Sequence, residues 1–268
     1  MRKVALGLAL VFAALEAGPY LFMLAGSFES LDEIARVPPT LWPAHPHPEN
    51  YAAVFAAAPM ARFLLNTIVV AGGIVLVQLP LVVLFGYALT FLRAPGGRAI
   101  QALVLGCLLV PPQVRFVPVY LLLARLGLVD SFFALIAPHA ASALGILLAV
   151  KAMRAVPVEV VEAARLDGTS EVGIAFRIVA PMIRPTLVAF ALFSLVYHWN
   201  DYFWTLVMTS SDRVRTLPVA VALLREEGTG IRWHLVMAAA VLVTAPVLAV
   251  FALAERHLVR AFTWNAPR

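Results

Sequence analysis

The chain has 268 residues, 62% of them hydrophobic and only 13% charged, with a mean hydropathy of +0.92; a soluble globular domain does not carry that balance. Its net charge of +5 comes from 20 Lys and Arg scattered over many segments, without the basic stripe that nucleic-acid binding requires. The lone Cys107 lies inside an apolar run, which excludes an internal disulfide and argues against redox chemistry.

The apolar residues fall in continuous runs, long enough for helices that each need about 20 residues to cross a bilayer. Continuous rather than alternating hydrophobicity favours helices over a β-barrel. Arg2-Lys3 precede a first span from Val4 to about Ala25. It has no small-x-small cleavage site at the usual place, so an uncleaved span is expected rather than a signal peptide. Glu16 within it is expected to face other helices. Residues 27–62 change character: Pro38-Pro39, Trp42-Pro43 and His45-Pro46-His47-Pro48 predict an irregular extracytoplasmic loop, with a short helix over Tyr51–Ala58. Two histidines two apart, interleaved with prolines and without a nearby third ligand, read as loop and not as a metal site.

Span two is predicted from about Phe63 to Leu92, longer than a bilayer needs, so that it tilts, bends near Pro80 or projects. A basic turn follows at Arg93–Arg98. Span three covers about Ala99–Val117, interrupted at Pro111-Pro112, and a short amphipathic stretch ends at Gly127–Asp130. Span four is expected from Ser131 to Val150, span five from about Pro185 to Met208, and span six from His234 to Ala254. A short helix is predicted to start at Thr216-Leu217-Pro218 and to end at Glu226-Glu227-Gly228. The whole is one transmembrane domain, 1–268, with its core at about 63–256. Six spans put both termini on one side, together with the 93–98 turn and the polar segment 152–184. Twelve of the 20 Lys and Arg fall on that side, which the positive-inside rule makes cytoplasmic.

The polar segment is the most informative stretch. Pro157 suits the start of a helix, Glu159 and Glu162 sit near its positive end, and Gly168 supplies a left-handed stop. Ser170 can cap a second helix, with Glu171 in its first turn, and Pro181 limits its length. Ala163 and Ala164 leave a patch with almost no side chain, where a foreign surface can approach the backbone. No Gly-x4-Gly-Lys-Ser/Thr cradle exists, since Lys3 and Lys151 are the sole lysines and neither sits in a glycine-rich loop. Any ATP that drives this chain must therefore be bound by a partner, and the loop is the one cytoplasmic segment large enough to serve as its handle.

Glu162-Ala163-Ala164, Gly168 four residues after the second Ala, and Ile178-x-x-Pro181 resemble the EAA loop of ABC-importer permeases, with Ala180 where that pattern usually has Leu. The resemblance implies an all-α membrane protein of six transmembrane helices, the transmembrane domain of a type I ABC importer. It also implies that Glu162, Ala163, Ala164, Asp167 and Gly168 form a coupling helix that inserts into an ATPase groove. Trp199–Trp204, Arg215–Val219, Pro112-x5-Pro118 with Gly127-Leu128, Asn50-Tyr51, Asn66 and Trp233 to Ala239 are similar to the MalG-like branch of carbohydrate-importer permeases. The tail Thr263–Arg268 departs from the usual Gly-Ala-Val-Lys-Gly ending. Pro112-Gln113-Val114-Arg115-x-x-Pro118 and Gly228-Thr229-Gly230 are similar to glycerol-3-phosphate permease subunits.

The partners implied are an ABC ATPase dimer that binds the ATP, a second related permease, an extracytoplasmic solute-binding protein and membrane lipid, all at a bacterial cytoplasmic membrane. Polar groups inside spans are costly unless they face a cavity or another helix. Asn66, Arg115, His198, Asn200 and Asp201 are the translocation-path candidates, with Thr67 and Gln78 nearby in the second span. Arg115 suits an anionic solute by bidentate contact, and could equally hold a carboxylate or a lipid headgroup. Tyr197, Trp199, Tyr202 and Trp204 suit stacking on sugar rings, though Tyr202 and Trp204 fit an interfacial belt or packing better. His139 fits a packed histidine. An ion-gradient-driven transporter would need internal repeats and intramembrane carboxylates; no repeat occurs, and Asp201 is the sole mid-chain carboxylate of that kind. A membrane-embedded enzyme lacks any His-Glu-x-x-His, Gly-x-Ser-x-Gly or paired-carboxylate constellation.

Overall fold

The computed structural model describes residues 2–92, 96–224 and 231–263, with side chains described up to residue 253 and not at Arg2 and Lys3. The Arg93–Pro95 part of the basic turn, Arg225–Gly230 and the terminal residues 264–268 lie outside the described residues. Among the described residues there is no strand.

Among the described residues, three helices are long and apolar enough to cross a membrane unaided: α1 (Arg2–Gly26), α4 (Met60–Phe91) and the final helix, through Trp233–Leu253. Three more crossings are available if each of three bent helix pairs counts as one span. The first pair is α5 (Gly97–Leu109) and α6 (Pro112–Arg125), which meet at 97°. The second is α7 (Phe132–Ile136, extended by a 3-10 turn through His139) and α8 (Ala143–Met153), at 40°. The third joins α10 (Glu171–Met182) and α11 (Arg184–Trp199) at 86°. Between the second and third pairs lies α9 (Val158–Leu166). The short helices are α2 (Leu31–Ile34) and α3 (Glu49–Ala57) in the first loop, α12 (Phe203–Met208), and α13 (Leu217–Leu223); α14 (Trp233–Thr263) closes the chain.

Several boundaries move from the sequence expectation, for local reasons. Pro118 does not end a helix: α6 runs on through it to Arg125 and stops where Gly127 takes a positive φ of 65°. There the Leu128 and Gly127 amides donate to the Leu123 and Ala124 carbonyls, in the Schellman pattern. Span five breaks at Asn200-Asp201, because Asn200 bonds back to the Val196 carbonyl at 2.8 Å and Asp201 accepts from the Trp204 amide at 3.1 Å, starting α12. The last helix continues past Ala254 to Thr263, and Pro80 sits inside an unbroken α4.

The chain divides into two compact units, Met1–Asn66 with Arg215–Ala249, and Thr67–Val214 with Val250–Arg268. In the first, Val54, Met60, Phe63, Leu217, Leu224, Leu235 and Ala238 form a buried cluster. The loop 27–59 is pinned by Asn50, whose side-chain amide donates to the Ser27 and Glu29 carbonyls at 3.0 and 2.9 Å. A Ser30–Glu33 capping box starts α2. α1 leaves Val4, Leu8, Phe12 and Leu15 more than half exposed, as a helix bathed in lipid does.

In the second unit α4, α8 and α11 pack at glycines. A Cβ on Gly145 would lie 2.6 Å from Phe190 and from Val82, so the helices approach as closely as a bare Cα permits. Val82, Tyr87, Ile146, Val150, Met153, Val161, Ala164, Ile174 and Phe190 share one buried cluster. Val70, Ile74, Leu123, Leu135, Met208 and Val214 share another.

Candidate functional site

The segment after α8 folds as two helices and an elbow. Pro157 is the N-cap of α9 rather than its first helical residue, with φ −59° and ψ 130°. Gly168 has φ +77°, and the Thr169 and Gly168 amides donate to the Ala164 and Arg165 carbonyls, each at 3.0 Å, the Schellman ending that only a residue at ease with positive φ makes without strain. Ser170 caps α10 through its hydroxyl, which accepts from the Gly173 amide at 3.2 Å. The middle of α10, Ile174–Val179, is π-helical, and the chain turns sharply after Met182, next to Pro181.

The two alanines differ in their surroundings. Ala163 is exposed, whereas Ala164 is 7% exposed and belongs to the core cluster with Val161, Ile174 and Ala175. The open face of α9 and its elbow is therefore Glu159, Glu162, Ala163, Leu166, Asp167 and Gly168. Leu166 is 90% exposed and is a residue the sequence pattern did not single out. Its signal was there: it lies three and four residues after Ala163 and Glu162, on the same helical face.

The elbow is tied down from behind. Arg165 Nε and Nη2 donate to the two Glu171 oxygens at 2.8 and 3.1 Å. Nη2 also reaches the Phe91 carbonyl at 3.3 Å, and the Tyr87 hydroxyl donates to Glu171 Oε2. These bonds join α9 and α10 to the end of α4. Arg165, then Tyr87, hold the Glu171 carboxyl below its ordinary value, and Glu171 in turn holds the Arg165 guanidinium above its own. Beside the latch runs a groove of about 590 Å³, walled by Phe91, Arg154, Val158, Glu162 and Arg165.

The path candidates separate. His198, Asn200 and Asp201 come together at the end of α11, on or beside an open groove of about 580 Å³ lined by Phe193, Tyr197, Asn200, Asp201 and Tyr202. Arg115 is exposed on α6. Asn66 is buried in the first unit, where its amide donates to the Arg215 carbonyl at 2.8 Å. Gln78 donates to the His139 carbonyl and accepts from the Ser194 hydroxyl, each at 2.6 Å. Trp204 packs edge-on to Phe116 and His139 and donates its indole N–H to the Ala134 carbonyl at 3.0 Å, which is the packing role expected of it.

Residues 52–264 match the family described as binding-protein-dependent transport system inner membrane component. The chain belongs to this family. Among its curated relatives, the probable ABC transporter permease protein YurM of Bacillus subtilis is 28% identical over 91% of this chain and 81% of its own length. An sn-glycerol-3-phosphate transport system permease protein, UgpE of Yersinia enterocolitica, is 29% identical over 90% and 88%. Its counterpart in Pectobacterium atrosepticum is 32% identical over 75% and 72%. A chain in the crystal structure of a bacterial ABC transporter involved in the import of the acidic polysaccharide alginate superposes with a TM-score of 0.84, at 22% identity, over 95% of each chain. The fold is thus the transmembrane domain of a type I ABC importer. The chain is an inner-membrane transport permease of an ABC importer, not an enzyme, and as such works with an ATPase and a solute-binding protein. This family membership sets aside the ion-gradient-driven transporter.

Proposed function

We propose that this permease imports a sugar or sugar-like solute, driven by ATP bound and hydrolysed on a separate ATPase dimer, and that α9 with its elbow is the coupling element. The observation that carries the reading is the open face at Glu162, Ala163, Leu166, Asp167 and Gly168, anchored to α4 by the Arg165–Glu171–Tyr87 latch. An element that must grip a partner and move a helix needs both an uncovered surface and a rigid attachment. Ala164 serves the attachment rather than the grip. A second related permease completes the pore, both termini are cytoplasmic, and the two compact units act as one transmembrane domain. His198, Asn200 and Asp201 line the solute path, with Arg115 near the outer end of the third span.

Relatives named for glycerol-3-phosphate transport and a fold neighbour importing an acidic polysaccharide support an anionic solute, glycerol-3-phosphate among those to try, and exposed Arg115 has the chemistry for one. Uptake by the reconstituted complex, measured across neutral and anionic sugars with and without ATP, tests the reading. Ala163→Trp and Gly168→Asp should abolish ATPase co-purification. Retention of the ATPase by both variants overturns the coupling role.

A further inference from the structure

Three metal-ligating side chains meet where two of the broken spans turn. His139 closes the 3-10 turn after α7, His198 lies in the last turn of α11, and Asp201 follows just beyond it. Each offers one ligand atom, and the three atoms lie within 4.8 Å of one another. The two imidazole rings meet edge to face with centroids 4.7 Å apart. Nε2 of His139 and Nδ1 of His198 are buried without a hydrogen-bond partner, and His198 as a whole is only 8% exposed. Unpaired buried ring nitrogens carry a desolvation cost that nothing in the chain offsets. Asp201 accepts from the Trp204 amide at Oδ1, which leaves its second oxygen for another partner.

Two imidazoles and a carboxylate, with a further position open to water, are the ligand set of zinc-type divalent ions. Metal–nitrogen bonds of about 2.0–2.1 Å place tetrahedral ligand atoms roughly 3.4 Å apart, so the group has to contract by about 1.4 Å at most, within reach of side-chain rotation. The mount is firm: Gln78 holds the His139 carbonyl and is itself held by Ser194 from α11, both at 2.6 Å. Asp201 also lines the open groove of about 580 Å³, which gives an ion a way in.

We propose that His139, His198 and Asp201 bind one zinc-class divalent ion, which bridges the turn after α7 to the end of α11. The full-length permease, purified in detergent on a tag without histidine, is titrated with Co²⁺ and then with Zn²⁺. One Co²⁺ per chain, visible d–d bands and displacement by Zn²⁺ are expected, and His139→Ala and His198→Ala should each weaken binding at least about tenfold. If either alanine variant elutes as an aggregate, the glutamine variant at that position takes its place. Absence of d–d bands in the unaltered chain overturns the proposal. Equal affinity in both histidine variants overturns it too, because it assigns the ion to an adventitious site elsewhere.

Discussion

Leu166 offers the sharpest test of the coupling surface. It stands 90% exposed at the end of α9, so replacing it removes almost no contact within the chain, and the stability of the isolated permease should change by less than about 0.5 kcal/mol. Fully burying a leucine against a partner contributes about 1.5–3 kcal/mol. Taking about 2 kcal/mol, and a tenfold change for each 1.4 kcal/mol, Leu166→Ala should weaken ATPase association roughly 30-fold. Leu166→Asp should weaken it further, since a carboxylate would have to be stripped of water in the same groove. The assay is a titration of detergent-solubilised permease with its ATPase, alongside a thermal unfolding scan of each variant. An unchanged Kd for Leu166→Asp, with the melting midpoint also unchanged, would refute the placement of Leu166 in the contact.

The remaining predictions concern the elbow, its latch and the close helix packing. A Cβ added at Gly168 would meet no atom within 4 Å, and φ there is +77°, so Gly168→Ala should cost only conformational strain, about 1–2 kcal/mol, and Gly168→Asn less; thermal unfolding that ranks alanine above asparagine would contradict this. The Arg165–Glu171 pair is 34% and 44% exposed, which limits it to about 1 kcal/mol. Glu171→Gln should therefore speed hydrogen exchange across 165–171 by about fivefold, with little added by Arg165→Ala on top, and independent, additive effects would argue against a shared latch. Because the Glu171 carboxyl is held below its ordinary value of 4.5, its contribution is complete above that value and is lost as pH falls through its lower folded value. Protection of the elbow, corrected for intrinsic exchange, should stay level from neutral pH down to that range and then drop. Gly145→Val has to displace Phe190 and Val82 and should lower stability by about 1–3 kcal/mol, read as a fall in melting midpoint.

Hydropathy and punctuation made much of this molecule readable from its letters. Long apolar runs announce α1, α4 and α14 because nothing else in a sequence looks like about 20 predominantly apolar residues in a row, and Gly168, Ser170 and Pro181 fall where the elbow turns, caps and stops. The broken spans were harder to place. Asn200-Asp201 ends a helix through side chains that bond to the local backbone, a competition that hydropathy cannot register. Pro118 looked like a boundary and is not one, because the chain turns later, at Gly127. The two alanines of the loop looked alike in sequence, yet one is exposed and the other buried, since only helical phase relative to Val161 and Ile174 decides which one is covered. The latch was invisible for a different reason: Tyr87 and Glu171 are 84 residues apart, and no local pattern links them.

The three bent pairs lie in one of the two compact units, along with all of α5 to α12. Each bend interrupts a ladder of backbone hydrogen bonds and leaves carbonyls and amides that hydrocarbon cannot satisfy. Pro111 and Pro112 at the first bend lack amide hydrogens altogether, which lightens the demand for acceptors there but not for donors. The freed carbonyls must find water, a neighbouring helix or the membrane surface. The three bends, at residues 109–112, 139–143 and 182–184, are therefore where this permease must supply polar partners to its backbone, a demand its unbroken helices do not make.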